Sequence, residues 1–451
     1  MKIFTKIFLL ALCSAVNCTA LDISARNLTG DWSGQLKVTP QMSMKLVFHI
    51  DDNAVSLDSP DQGAYGIPGE LVFLSEDSVN VKIPKIMAGF AGALNGEVLS
   101  GEFRQGGMCL PLELTQGVSK PNRPQTPQPP FPYTTEGLKI TTEAGTIAGT
   151  LTIPENADKT TPLAILVTGS GQQNRDEELF EHKPFAVIAD HLARCGVASF
   201  RYDDRGIGES TGDIMSATTA DFAADAEAVV SHLKKTGRFG KTGIIGHSEG
   251  GLIAYMLGAK PKTLDFIVSI AGPSIKGSKT IGYQNKVALL RSGISEKDAD
   301  DFGKAMETTL EYKLSHPEAI DVSESLISGL YPQYNDSPLT KQLGESLKVV
   351  ISDSATNPWM FYFVGYDPAS DITKLQIPTL ILYGERDTQV PAHLNADLAR
   401  KLTPNAIVKE FPQLNHLMQH ATTGDASEYK EIEETISPEV LEAISDFLHS
   451  L

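Results

Sequence analysis

The sequence is short of cysteine, of basic charge and of long apolar runs, and each shortage closes a class of function. Four cysteines occur in 451 residues, too few for a disulfide framework. Cys13 and Cys18 fall in an N-terminal segment expected to be removed, which leaves Cys109 and Cys195. A bridge between these two would have to cross domains, so two separate buried thiols are expected. Lys and Arg number 38 against 56 Asp and Glu, a formal net charge of −18. That balance argues against nucleic acid and anionic lipid as partners, because both need clustered basic residues. After the N-terminus no stretch reaches the roughly 20 apolar residues of a membrane span, so stable membrane insertion is not expected. There is no H-E-x-x-H, no CxxC pair and no His/Cys cluster, hence no expected metal site. No dinucleotide fingerprint appears, and no cofactor is expected.

What is present starts with a targeting pattern. Lys2 and Lys6 flank an otherwise apolar N-terminus, Ile7 to Ala15 form a short apolar run, and Cys18-Thr19-Ala20 supplies small residues at a cleavage site. This is the layout of a secretory signal over residues 1–20, cut after Ala20. A membrane anchor would need a longer run, and neither early cysteine follows a lipobox. Export is expected, to the periplasm or the medium.

Residues 21–118 read as an all-β domain. Short runs such as Asp31–Val38, Met44–Ile50, Val79–Ile83 and Glu97–Phe103 show partial alternation and are punctuated by Gly, Asp, Asn and Pro, the pattern of a small barrel or sandwich. The turn-rich stretch from Asp58 to Gly66 is read as a long connection rather than a loop reaching a site. Residues 119–133 hold a proline-rich linker, Lys120-Pro121-Asn122-Arg123-Pro124 and onward to Pro132, which cannot enter a sheet interior and favours extended geometry.

From residue 134 to 451 the pattern changes to alternation. A hairpin is expected near residues 138–153. Apolar strands follow at Leu163–Thr168, Val197–Tyr202, the run ending at Ile245, Phe266–Ala271, Pro378–Tyr383 and Ala406–Phe411. Helices are expected at Phe185–Arg194 and Asp221–Lys235, the latter with Phe222, Ala226, Val229, Val230 and Leu233 on one face. Strands that are mostly apolar, separated by helices, predict an α/β fold with a mostly parallel sheet covered on both faces. Residues of about 274–370 break the alternation and predict a helical cap. Its end carries an aromatic cluster, Trp359, Phe361, Tyr362, Phe363 and Tyr366, expected to pack in a core or to line an acyl pocket.

The chemistry centres on Gly246-His247-Ser248-Glu249-Gly250-Gly251. Preceded by Ile244-Ile245 and followed by Leu252 to Leu257, it predicts a strand, a tight turn and a helix, which exposes a serine hydroxyl in strained geometry. A serine needs a base, an acid to orient that base, and donors for the developing oxyanion. Past the strand 378–383, Asp387 is the expected acid, with Glu385 as rival. Past the strand 406–411, His416 is the expected base, with His420 as rival. His247 is expected to be packed rather than to act as the base. The oxyanion donors are expected to be the backbone N–H of Glu249 and that of Ser170 or Gly171, in the glycine-rich turn Gly169-Ser170-Gly171.

These residues resemble the α/β-hydrolase superfamily over roughly residues 134–451. The resemblance rests on Gly246-His247-Ser248-Glu249-Gly250-Gly251, Gly384-Glu385-Arg386-Asp387, Asn415-His416 and Asp203-Asp204-Arg205-Gly206-Ile207-Gly208-Glu209-Ser210. More narrowly, Gly169-Ser170-Gly171-Gln172-Gln173-Asn174-Arg175-Asp176 is similar to the G-S-G-P-x-x-R-D segment of bacterial carboxylesterases that carry an extra N-terminal domain, with Gln172 in the place of proline. The resemblance implies a serine carboxylesterase acting on small, short-chain acyl esters through an acyl-enzyme. A serine aminopeptidase, amidase or acyl thioesterase on the same residues is the alternative, and a peptidase would need an acid such as Glu209 or Glu249 to receive an amine. A ligand-capturing β-domain on an inert hydrolase scaffold is a third possibility. Oligomeric state is not legible.

Overall fold

The computed structural model describes residues 28–38, 43–118, 121–317 and 357–451. The expected signal segment 1–20 and the part of the expected cap from 318 to 356 lie outside the described residues. The chain divides into two compact units. Of the described residues, one unit holds those up to Asp58 together with Gly66–Val118, and the other holds Ser59–Tyr65 together with those beyond Val118.

The first fold is a closed antiparallel barrel of eight strands, β1 (Gly30–Lys37) through β8 (Met108–Gln116), each paired with the next in sequence and β1 closing on β8 at Ser33 and Thr115. Alternation sets what lies inside. In the strand Ser78–Ile83, Val79, Val81 and Ile83 are buried while Asn80 and Lys82 are exposed, as a sheet with one wet face requires. The interior is filled by side chains, among them Trp32, Phe48, Phe90, Phe103 and Leu114. Phe48 and Phe90 meet with ring centroids 5.1 Å apart, and the Trp32 indole donates to the Leu28 carbonyl at 2.9 Å. This is a packed core of the kind small barrels form, and it leaves little support for ligand capture inside the barrel.

The expectation of two buried thiols is corrected here. Both cysteines are free, but Cys109 is exposed and Cys195 only half-buried. In β8 the inward positions are Leu112 and Leu114, so Cys109 falls on the outer face opposite Arg104. The two-residue period of the strand, not the chemistry of the thiol, decides its exposure.

The second fold is an eight-stranded sheet. Its strands are β9 (Tyr133–Thr141), β10 (Thr146–Pro154), β11 (Leu163–Val167), β12 (Ala198–Tyr202), β13 (Thr242–His247), β14 (Phe266–Ile270), β15 (Thr379–Gly384) and β16 (Ile407–Phe411). Spatial order runs β9-β10-β12-β11-β13-β14-β15-β16. The first two pairings, β9 with β10 and β10 with β12, are antiparallel, and the rest are parallel. Helices α1 (Pro184–Arg194), α2 (Thr219–Lys235) and α3 (Glu249–Gly258) make the crossovers between central strands. Next come α4 (Gly277–Arg291), α5 (Glu296–Ser315), α6 (Pro358–Gly365) and the single turn α7 (Ala369–Ile372). These four fill the described part of the stretch between β14 and β15. The chain ends with α8 (Ala392–Leu402) between β15 and β16 and α9 (Pro438–His449) after them.

Both faces of the central sheet are covered, which is why β11, β13, β14 and β15 are buried at every position. Leu163, Ile165 and Val167 of β11 pack into a core with α2 and α3, while Ala164 and Leu166 pack into a second core with α1 and α9. Helix α2 follows the same logic: Ala226, Val229, Val230 and Leu233 are buried, and Thr218 closes its N-terminus in a capping box with Asp221. Within the proline-rich stretch, residues 121–132 have no strand or helix, yet they are fixed. Arg123 donates to the carbonyls of Phe180, Lys430 and Ile432, and Gln125 to that of Ile436.

The order of the central strands locates the site. From β11 the chain crosses to β12 on one side and then returns to β13 on the other. The carboxyl ends of β11 and β13 therefore face a crevice at which consecutive connections diverge, the place where open α/β sheets bind their ligands.

Candidate active site

Ser248 lies in the turn between β13 and α3, at φ 53° and ψ −115°. A side chain at such a φ is strained, by about 1–3 kcal/mol, and the surroundings hold it there. The Ser248 N–H donates to Ile270 O at 2.8 Å, and Gly251 N–H returns to Ser248 O at 2.9 Å. Gly246 and Gly250 make the turn possible through close approach. A Cβ on Gly246 would land on the carbonyl of Gly250, and one on Gly250 would land on that of Val167. The positive φ belongs to the serine, not to these two glycines.

Asp387 and His416 are brought together. Asp387 follows β15, His416 follows β16, and both side chains are buried. His416 Nδ1 donates to Asp387 Oδ2 at 2.7 Å. The other carboxylate oxygen, Oδ1, accepts from the backbone N–H groups of Gln389 and Val390, each at 2.8 Å. With Nδ1 engaged, Nε2 is the ring atom left for proton transfer. The two loops are stitched by the backbone: Glu385 N–H donates to Phe411 O and Arg386 N–H to Leu414 O. Asn415 shapes the turn around the histidine, its Oδ1 accepting from Leu417 N–H and Gln419 N–H at 3.0 Å each. The rivals are elsewhere. Glu385 is exposed, and His420 is exposed and paired with Glu434 at 2.9 Å.

Ser170 and Gly171 sit in the loop after β11, both exposed. A Cβ on the neighbouring Gly169 would lie 3.1 Å from the Ser248 Cβ, so this loop and the serine are adjacent. Among the described residues no group accepts from the backbone N–H of Ser170, Gly171 or Glu249, whereas Gly169 N–H is taken by Glu177 Oε1 at 2.6 Å. The loop's path does not depend on a proline at Gln172. Asp204 sets it instead, with Oδ2 accepting from Gln173 N–H at 3.1 Å and Oδ1 from the Thr168 hydroxyl at 2.8 Å. Arg175 then forks onto Asp203, Nη2 to Oδ2 at 2.6 Å and Nε to Oδ1 at 3.1 Å. The segments 169–176 and 203–210, each recognisable along the chain, are thus two halves of one clamp.

The acids around the serine are held in different ways. Burial pushes the Asp204 carboxyl well above the usual carboxylate range and raises that of Glu249. At Asp203 burial acts in the same direction, but the Arg175 hydrogen bonds outweigh it and the pKa falls. The Glu249 side chain turns away from the serine and accepts from Thr219 Oγ1 at 2.6 Å and from the Trp359 indole at 2.8 Å. Glu209 is exposed and meets Arg175 at 2.8 Å. Neither carboxylate suggested for an amine is without a partner.

Sequence reasoning missed Glu177, and gave His247 only a packing role. Both ring nitrogens of this buried histidine are engaged: Nδ1 with Glu177 Oε1 and Nε2 with the His416 carbonyl, each at 2.9 Å. The His247 and His416 rings lie 4.9 Å apart. His182 is also buried, and burial lowers its pKa to about 4. The aromatic cluster is partly core: Phe363 is buried, and Trp359 stacks on it at 5.3 Å. Among the described residues no group of three or more His, Cys, Asp or Glu could hold a metal ion, and no helix is long and apolar enough to cross a membrane.

A profile of the serine aminopeptidase, S33 family matches residues 181–301. Esterase EstD of Thermotoga maritima is 27% identical over 275 residues, which cover 60% of this chain and 58% of EstD. The chain thus spans less than two thirds of that relative's length. Among solved structures, the Pyrococcus furiosus esterase Pf2001 is similar at a TM-score of 0.41 and 18% identity, covering 74% of this chain and 99% of that one. Est1E of Butyrivibrio proteoclasticus with ferulic acid bound is similar at a TM-score of 0.44 and 18% identity, covering 69% and 98%. The chain carries the α/β-hydrolase fold together with an N-terminal antiparallel barrel, and resembles bacterial esterases of that superfamily.

Proposed function

We propose that the protein is an exported serine hydrolase that cleaves small carboxylic esters through an acyl-enzyme. Three observations support this reading: a serine strained at φ 53° in the turn after β13, the contact of the preceding His247 with the His416 carbonyl at 2.9 Å, and a buried His416–Asp387 pair at 2.7 Å. Ser248 Oγ attacks the ester carbonyl as His416 Nε2 takes its proton. Asp387 fixes the ring with its proton on Nδ1 and stabilises the imidazolium that forms. The tetrahedral oxyanion is received by the N–H of Glu249 and that of Ser170 or Gly171, donors fixed by the backbone before charge develops. His416 returns the proton to the leaving alcohol, then draws one from the water that attacks the acyl-enzyme, regenerating the serine. Export rests on Lys2, Lys6 and the apolar run before Ala20.

A serine aminopeptidase on the same residues is the second reading, favoured by the family profile over residues 181–301. Against it, the carboxylates of Glu209 and Glu249 are occupied by partners of this chain. The test is a short-chain p-nitrophenyl ester series beside an aminoacyl-p-nitroanilide series, run on the mature protein and on Ser248→Ala. Ester turnover that vanishes in the variant, with little anilide cleavage, is the expected result. Dominant anilide cleavage would move the assignment to the peptidase, and ester turnover that survives Ser248→Ala would overturn both.

A further inference from the structure

A hydrogen-bond count at His247 points to a buried charge. Its Nδ1 faces a carboxylate oxygen of Glu177 and its Nε2 faces the carbonyl oxygen of His416, both at 2.9 Å. A carbonyl and an ionised carboxylate only accept, and a neutral imidazole carries a single N–H. With a neutral ring one of the two contacts would set lone pair against lone pair in a buried site, at the cost of an unmade hydrogen bond there. With Glu177 ionised, satisfying both requires a proton on each ring nitrogen. Glu177 is committed as an acceptor on its other side too, since the same Oε1 receives Gly169 N–H at 2.6 Å.

We propose that His247 is a standing imidazolium, paired with Glu177, that positions the loop bearing His416 against the loop after β11. The pair joins three places. Glu177 reaches the loop of Ser170 and Gly171 through Gly169 N–H, His247 adjoins Ser248 in the chain, and its Nε2–H holds the carbonyl of His416 itself. Neither residue touches substrate; both are positioning residues. The ionisable groups facing His247 are Glu177, His416 and Asp387. The remaining wall is apolar, formed by Phe185, Ile188, Ile270, Leu417 and Ile436. Burial by itself lowers the His247 pKa, and the charge and hydrogen bond of Glu177 outweigh it to leave the pKa raised.

The kinetic part of this inference rests on the reading of Ser248 and His416 as nucleophile and base, and the protonation part does not. The first experiment is therefore 15N NMR of the full, histidine-labelled mature protein, with the His247 signal identified by its loss in His247→Gln. Two protonated ring nitrogens from pH 6 to 8 are expected, in about that window. One unprotonated nitrogen across that range would overturn the inference, whether or not the protein hydrolyses esters. The second experiment compares Glu177→Gln with Glu177→Asp on a p-nitrophenyl ester. Displacing the His416 loop should lower kcat of Glu177→Gln about 10- to 100-fold with little change in KM. The alkaline limb of its kcat profile should move to lower pH, because the carboxylate that holds the proton on His247 is gone. Glu177→Asp keeps the charge and should keep the alkaline limb. An unmoved limb and unchanged kcat in Glu177→Gln would refute the positioning role even if NMR finds the imidazolium. Should Glu177→Gln fail to fold, the NMR measurement and the Asp variant still decide. Loss of the ester activity itself from the unsubstituted protein would count against the function, not against the charged pair.

Discussion

Asp387→Asn tests the proposed chemistry most sharply, because the structure dictates which way the new amide must turn. Asp387 Oδ1 accepts two backbone N–H groups, from Gln389 and Val390, and Oδ2 accepts from His416. Asparagine has one oxygen and one NH2. Keeping the oxygen under the two N–H groups presents the NH2 to His416 Nδ1, which must then accept. The ring proton moves to Nε2, and the atom that should receive the serine proton is blocked. The opposite rotamer restores the productive tautomer but sets the NH2 against both backbone donors. At about 1–3 kcal/mol for each buried donor left unpaired, that rotamer costs about 2–6 kcal/mol. The productive population then falls about 30-fold to 10⁴-fold, at 1.36 kcal/mol per factor of ten. Ester kcat should drop within that range while KM changes little, since the change leaves the substrate-facing donors in place. The assay is steady-state hydrolysis of p-nitrophenyl butyrate, with a far-UV circular dichroism melt to show that the variant folds. A drop of less than tenfold in a folded variant would mean that Asp387 does not set the tautomer of the working histidine, and the acid would have to be sought elsewhere.

Three other substitutions follow from the same geometry. Ser248→Gly should raise the unfolding free energy by about 1 kcal/mol in urea titration, because glycine relieves the strain at φ 53°, while Ser248→Ala should not. A less stable glycine variant would contradict the strain argument. Asp204→Asn should flatten the pH dependence of stability: a carboxyl whose pKa is raised on folding contributes fully below the ordinary Asp value of about 3.9 and loses that contribution as pH rises through the folded value. Asparagine can keep both contacts, its oxygen on Gln173 N–H and its NH2 on the Thr168 hydroxyl, so urea melts from pH 4 to 8 that decline equally in both proteins would refute the assignment. Trp359→Phe removes the indole donor from Glu249 and should cost about 1 kcal/mol of stability. If the cap aromatics line the acyl pocket, the variant should also change the ratio of kcat/KM between acetyl and hexanoyl esters, and an unchanged ratio would leave them a packing role alone.

The features legible in the sequence are those whose cause acts along the chain. Strands β11, β13, β14 and β15 are buried at every residue because helices cover both faces, and their largely apolar runs can be read without knowing the neighbours. The turn at Ser248 is legible because the two glycines that permit it are within four residues of it. Asp387 and His416 are legible as loop residues just past strand ends, the position at which an open sheet presents side chains to its crevice. Cys109 departs from expectation for a related reason: residue type suggests burial, whereas a strand assigns its faces by parity. Reading Leu112 and Leu114 as the inward pair would have turned Cys109 out.

The features that were not legible are pairs in which neither partner is informative alone. Arg175 and Asp203 stand 28 residues apart, Glu177 and His247 70 apart, and Trp359 and Glu249 110 apart. Each side chain, taken singly, has an unremarked reading: a solvated charge, a packed ring, an aromatic in a cap. The fold converts them by removing water. Once Glu177 and His247 are buried together, the number of donors and acceptors must balance, and the balance fixes where a proton resides. His416 shows the same rule from the other side. Its Nδ1 proton follows from an Asp387 carboxylate that can only accept, and Asp387 in turn is fixed by two backbone N–H groups that can only donate. A chain of such one-way partners leaves a single consistent set of protons, which is why substitutions that preserve shape but reverse one donor, Asp387→Asn and Glu177→Gln, should disturb function more than their size would indicate.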